Sequence, residues 1–202
     1  YNDFLSCAKT FFPIGDYITI NISSPNTEGL RNFHEKENLE KLLIKINEIR
    51  KESNFKKSFL LKISPDLDES SINNIVDLSL KNNINGIILT NTSDKNRDKL
   101  IDNQKNEKGG LSGQPIKDLS TKIIKKFYKK LNGKIPIIGV GGVDSGNAAF
   151  EKIAAGASAI QLYTGMIYKG PMIVKEIKKG LIIKLNEKGF KNISEAVGSN
   201  SN

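Results

Sequence analysis

Residues 136–165 read PIIGVGGVDSGNAAFEKIAAGASAIQLYTG, and they hold one complete unit of the fold. Pro136–Val140 is a short, nearly continuous apolar run, Gly146–Ala155 carries apolar residues at helical spacing, and Ala159–Tyr163 is apolar again. A strand without polar alternation is covered on both faces, and a helix between two such strands is the crossover that joins parallel neighbours. Each strand runs on its carboxyl side into glycine and hydroxyl residues, Gly141-Gly142 after the first and Thr164-Gly165 after the second.

The same alternation extends toward the amino end. Tyr17–Asn21, Phe59–Ile63 and Gly86–Thr90 read as further strands, and helical patterns cover Asn38–Lys51, Glu69–Asn82, Ser120–Leu131 and Met172–Lys188. The polar residues again cluster after the strands: Asn21-Ile22-Ser23-Ser24-Pro25-Asn26-Thr27 after the first, Lys62 near the end of the second, and Thr90-Asn91-Thr92 after the third. Active sites of parallel α/β proteins lie at the carboxyl ends of their strands, in barrels and in open sheets alike. A (β/α)8 TIM barrel takes about 250 residues for its eight units, and five are legible in these 202 residues. Asp3–Phe12 reads as the tail of a helix, and the first residue is Tyr1 rather than Met. The expectation is a C-terminal portion of a barrel supplying its last five βα units over residues 1–198, with 199–202 a disordered tail. An open doubly wound sheet is the alternative.

Composition removes several function classes. The formal charge is +9, from 31 Lys+Arg against 22 Asp+Glu, but only three of the cations are Arg. Arg is the residue suited to bidentate reading of bases and phosphates. The lysines sit in helical stretches such as 122–130 and 175–188, so they describe a solvated helical exterior, and no nucleic-acid partner is expected. One Cys excludes an internal disulfide framework. No run of about 18 apolar residues is present, so no segment is expected to span a membrane by itself. No His/Cys/Asp/Glu cluster has metal-ligand spacing, and no metal is expected. Cys7 is expected to pack inward from its helix. The single histidine, His34, is expected to be a surface or loop residue, which argues against a Ser–His hydrolase.

The richest segment is Asn21–Arg31, NISSPNTEGLR. Pro25 bends the chain off its strand and Gly29 permits a tight turn. Two amides, two serines and a threonine sit around that bend. Amides donate and accept together, which suits a planar heterocycle bearing carbonyls and N–H groups; loop-stabilising turns of the same side chains are the competing reading. The glycine loops after the last two strands lie 23 residues apart, from Gly142 to Gly165, and in barrels those two loops commonly hold phosphate through backbone N–H groups. Residues 94–108 are polar and irregular, a solvated loop whose ends could gate a site.

Six ordered motifs carry a resemblance: NISSPNTEGLR, LLKISPDL with Lys62, TNT at Thr90–Thr92, GGLSG at Gly109–Gly113, PIIGVGG at Pro136–Gly142 and AGASAIQLYTG at Ala155–Gly165. Together they resemble the dihydroorotate dehydrogenase family, from the first residues to about Gly198. The resemblance implies FMN as cofactor and oxidation of (S)-dihydroorotate to orotate in pyrimidine (UMP) biosynthesis. It implies Ser24 as acceptor of the C5 proton and flavin N5 as acceptor of the C6 hydride. Serine at that position, where soluble members carry Cys, implies the quinone-reducing class. That class associates peripherally with a membrane, bacterial inner or mitochondrial inner, through an amino-terminal segment not represented here. By position Asn21, Lys62, Thr90, Gly113, Gly142, Tyr163 and Thr164 would bind FMN, while Asn21, Asn26, Asn91 and Thr92 would bind dihydroorotate or orotate. Thr164 departs from the serine expected beside the tyrosine but keeps a hydroxyl. The implied alternatives are a truncated, non-catalytic FMN- or nucleotide-binding barrel remnant, and a fumarate- or NAD-linked relative.

Overall fold

The computed structural model describes residues 1–95 and 97–201. Five strands form one all-parallel sheet: β1 (Tyr17–Asn21), β2 (Ser58–Ile63), β3 (Gly86–Leu89), β4 (Ile137–Gly139) and β5 (Ala159–Ile160). Their spatial order is β1-β2-β3-β4-β5. A doubly wound sheet reverses its strand order at a switch point. Here every strand lies beside its predecessor, so the helices stay on one side, as in a barrel. The open-sheet alternative falls on that order.

Helices occupy the crossovers: α1 (Asn2–Phe11), α2 (Lys36–Glu52), α3 (Glu69–Lys81), α4 (Lys117–Leu131) and α5 (Gly146–Ala154), followed by α6 (Thr164–Lys169), α7 (Ile173–Glu187) and α8 (Ile193–Ala196). Their starts have local causes. Asp68 accepts from Ser71 N–H at 2.8 Å and caps α3, Ser145 accepts from Ala148 N–H and caps α5, and Asn192 accepts from Glu195 N–H and caps α8. The main core lies between sheet and helices, where Phe59, Leu61, Ile63, Ile87, Leu89 and Ile137 meet Leu42, Leu43, Ile46, Ile75, Ile124 and Phe127. Smaller clusters seat α7 on Val143 and Ala149 and α8 on Phe150 and Ile153.

The expected strands and long helices are all present with shifted ends. Strand β3 stops at Leu89, so Thr90 already belongs to the loop, and β5 pairs only through Ala159 and Ile160. The 3-10 helix at Leu30–His34 and the short helices α6 and α8 were not expected; each is too short to show a hydrophobic period. Cys7 is a correction: it is exposed, because α1 buries the stripe of Ala8 with Phe4, Leu5 and Phe12, and Cys7 lies one residue, about 100°, off it. Fraying at 199–202 does not hold for residues 199–201. Asn200 N–H donates to Ala154 C=O at 2.9 Å, and Ser201 is buried with its hydroxyl on Ala155 C=O at 3.0 Å. These groups satisfy carbonyls at the end of α5. Asn202 lies outside the described residues.

Candidate active site

The register of the sheet places the first site residues. Asn21 at the end of β1 pairs with Lys62 in β2, and Lys62 pairs with Ile88 in β3, so the three share the sheet face that points away from the helical core. Lys62 is half-buried and, among the described residues, has no carboxylate in ion-pair contact. Its burial pushes the ammonium pKa below the usual lysine value. A desolvated, unpaired cation is suited to meeting an anion.

Beside it runs a side-chain network between the loops after β1 and β3. Asn21 Oδ1 accepts from the Ser23 hydroxyl at 2.7 Å and from Ser23 N–H at 3.2 Å. Asn91 Nδ2 donates to Ser23 Oγ at 3.0 Å, and Asn91 Oδ1 accepts from Thr92 N–H at 2.7 Å. Ser23 is fully buried at the centre of this network. Sequence reading missed it because its partner lies 68 residues away. Ser24, next along the loop, is half-buried, and its Oγ accepts from Asn26 N–H at 3.2 Å. No described acid or base hydrogen-bonds to it.

His34 is a further correction. It is buried in the 3-10 helix, with Nε2 lacking a partner among the described residues. Desolvation, followed by the charge of Arg31, lowers its pKa to about 4, so it is neutral near pH 7. The burial follows from the helical turn that swings residue 34 toward α2, a turn too short to read from periodicity.

The remaining residues converge on one cavity of about 190 Å³ at the carboxyl ends of β2–β5. Lys62, Thr90, Asn91, Thr92, Gly113, Gly142, Tyr163 and Thr164 all line it. Asn21 joins it through Asn91, whereas Ser24 and Asn26 sit on the adjoining loop and do not line it. A larger space of about 650 Å³ continues past Ser112, Gly113, Gly142 and Thr164 toward Tyr168 and Lys169. Thr164 Oγ1 bonds Ser112 Oγ at 2.9 Å and ties the loop after β5 to the loop before α4. Gly142 has φ 67°, and a Cβ there would fall 2.5 Å from the Lys117 Cβ, so only glycine lets the loop lie this close to α4. Tyr163 is 77% exposed; it borders the cavity while its ring is open to solvent.

Two features fit a bound flavin mononucleotide. Thr90 Oγ1 is buried at the cavity without a partner among the described residues, an orphan that a ligand's polar edge would satisfy. Gly141, Gly142, Thr164 and Gly165 line the same cavity, and among the described residues their N–H groups donate to no protein acceptor. That is a set of free donors of the kind a phosphate takes. Among the described residues, no three His, Cys, Asp or Glu side chains gather to hold a metal ion.

A parallel barrel wall with its polar groups and free N–H donors at the strands' carboxyl ends is the architecture of the active-site face of a TIM-barrel enzyme. A family model described as Dihydroorotate dehydrogenase matches residues 1–185, and the chain belongs to the dihydroorotate dehydrogenase family. It is 45% identical over 204 residues to the dihydroorotate dehydrogenase (quinone) of Trichodesmium erythraeum, covering 97% of this chain and 53% of that protein. It is 41% identical to the mitochondrial dihydroorotate dehydrogenase (quinone) of Mus musculus, covering 97% of this chain and 50% of that protein. A crystal structure of a DHODH from Eimeria tenella in complex with ferulenol matches with a TM-score of 0.93 and 33% identity, over 98% of this chain and 57% of that one. The chain thus spans about half the length of the curated relatives it matches, and its five strands are five units of a TIM barrel.

Proposed function

We propose that this chain carries the flavin- and substrate-binding half of a quinone-dependent dihydroorotate dehydrogenase, oxidising (S)-dihydroorotate to orotate. The observation that carries the reading is the amide–hydroxyl network Asn21–Ser23–Asn91, set beside the unpaired Lys62 and the orphaned Thr90 hydroxyl. FMN, when bound, supplies the acceptor for the two electrons that leave substrate C6. Gly141, Gly142, Thr164 and Gly165 would hold its phosphate by their N–H groups, with Gly113 and Tyr163 at the border of the same space. Lys62 and Thr90 would meet the polar edge of its ring system. With the flavin held there, the Lys62 cation would offset the negative charge that its ring gains on reduction, and a preorganised charge of that kind lowers the barrier.

Asn21, Asn91, Thr92 and Asn26 would orient the substrate, since its carbonyls and N–H groups need partners that both donate and accept. Ser24 accepts the C5 proton. A serine alkoxide is inaccessible near neutral pH, and no described base touches Ser24, so its hydroxyl passes its own proton to water as it takes the substrate's. A quinone would be the final acceptor of those electrons. The membrane association that goes with a quinone acceptor belongs to this proposal; among the described residues, no helix is long and apolar enough to cross a membrane.

The test is dihydroorotate-dependent reduction of a short-chain ubiquinone analogue by the FMN-saturated protein, with Ser24→Ala alongside. The expected result is turnover in the parent and a loss of about 10²–10⁴-fold in the variant, the usual range for a missing general base, with FMN still bound. Unchanged turnover in Ser24→Ala removes Ser24 as the base. Turnover with fumarate or NAD but not with quinone moves the chain to another class of the same family.

A further inference from the structure

The guanidinium of Arg31 sits among acceptors from three separate βα loops, and nothing in the chemistry above uses it. Nη1 contacts Asp94 Oδ1 at 2.8 Å and Nη2 contacts Asp66 Oδ2 at 3.1 Å. Nη2 also donates to Thr92 C=O at 3.2 Å, and Nε to Ser23 C=O at 3.4 Å. Ser23 precedes Ser24 on the loop after β1, Asp66 follows Lys62 on the loop after β2, and Thr92 and Asp94 stand on the loop after β3. Resting on the reading just given, we propose that Arg31 is a positioning residue: it latches the Ser24 loop to the loops after β2 and β3, so that the Ser24 hydroxyl and the Asn91–Thr92 groups are held as one unit.

The partners make the latch stiff. The Asp66 side chain is only 3% exposed, and its second oxygen accepts from the Ser93 hydroxyl at 2.6 Å while Asp94 N–H approaches Oδ2 at 3.3 Å. Charge-assisted bonds in a desolvated setting are stronger and shorter than neutral ones. Ser93 in turn pairs with Leu111, its N–H on Leu111 C=O at 3.1 Å, so the latch extends to both roots of the segment between residues 94 and 110. A lysine could not do this, because a single ammonium lacks the planar fork that reaches acceptors on different loops. Gly142, Thr164 and Lys62, assigned above to FMN, make no hydrogen bond or ion pair with Arg31 among the described residues, so loss of the latch is expected to spare the cofactor.

The test takes the FMN-loaded protein with Arg31→Met and, because that change leaves Asp66 buried and unpaired, also Asp94→Ala, which removes the shortest contact at an exposed partner. Amide hydrogen exchange is expected to speed up by tenfold or more at residues 22–24 and 91–95, with bound FMN per chain unchanged. Exchange as slow as in the parent overturns the latch whether or not dihydroorotate is the substrate. In turnover, Arg31→Met is expected to lower kcat/KM for dihydroorotate by about 10²-fold, the scale of an ångström of misplacement. The double variant Arg31→Met/Ser24→Ala should be no slower than Ser24→Ala alone. Additive losses, or loss of FMN in step with activity, would show a general structural role and overturn the proposal. A parent without dihydroorotate turnover but with the expected exchange change removes the functional reading and leaves the latch standing.

Discussion

Lys152 is wholly buried, and among the described residues its ammonium is held by neutral groups alone: Thr121 Oγ1 at 3.1 Å, Ser120 Oγ at 3.2 Å and Lys117 C=O at 3.3 Å. Ser120 also donates to Val140 C=O, and Thr90 N–H bonds the same carbonyl at 3.1 Å, so this lysine underpins the strand ends that carry Thr90 and Gly141. Burial without a close counter-charge lowers its pKa to about 8. Between pH about 8 and its unfolded value near 10.5, the unfolded chain holds a proton that the folded chain has released, so this residue's contribution to stability rises with pH across that window. Chemical denaturation of the parent and Lys152→Met at pH 7 and pH 10 should show the difference between them moving in the parent's favour at the higher pH. A constant difference would mean that Lys152 keeps its proton throughout.

Two elements owe their place to features that a helix or turn does not carry alone. The first residue of α5, Gly146, lies against Gly180 of α7, and a Cβ on Gly146 would stand 2.5 Å from Gly180 backbone. In an isolated helix Gly→Ala is stabilising by about 1 kcal/mol. Here the added methyl forces α5 and α7 apart, and Gly146→Ala is expected to destabilise by about 2 kcal/mol, a typical overpacking cost, seen as an earlier denaturation midpoint. A later midpoint would show that the crossing adjusts freely. The 3-10 helix brings His34 into the interior with its pKa at about 4. From pH 6.5 down to 4 the unfolded chain takes up a proton that the folded chain refuses, so stability falls as the solution is acidified through that window, by up to about 3 kcal/mol. His34→Phe should flatten the stability profile between those values, and an unchanged slope would assign the acid sensitivity to other groups.

At the scale of the whole chain, β1 and β5 each have one strand neighbour among the described residues. Tyr163, Ile167, Tyr168, Ile182 and Ile183 expose large apolar side chains. Open edges and exposed apolar groups favour pairing with another chain. The 202-residue chain studied by itself is therefore expected to self-associate with rising concentration in sedimentation velocity. Compared with a full-length relative it is also expected to bind FMN less tightly, so that excess FMN is needed to keep it loaded, and to turn over more slowly. Turnover at the rate of a full-length relative would overturn that expectation, and a concentration-independent monomer would show that the edges are already protected.

The order of strands and helices, and the crowding of Asn21, Lys62, Thr90, Asn91, Gly142 and Thr164 at strand ends, were legible along the chain. An apolar run, a helical period and a glycine after a strand are set by neighbours a few residues away. The resemblance of six motifs added a cofactor and a reaction to that outline. Tertiary structure alone decided that Ser23 meets Asn91, that Arg31 meets Asp66 and Asp94, that His34 turns inward while Cys7 turns outward, and that residues 199–201 pack on α5. Each of these depends on which loop the parallel register brings beside which, and on what a helix face then finds opposite it. Those are contacts between residues tens of positions apart, and no local pattern in the sequence encodes them.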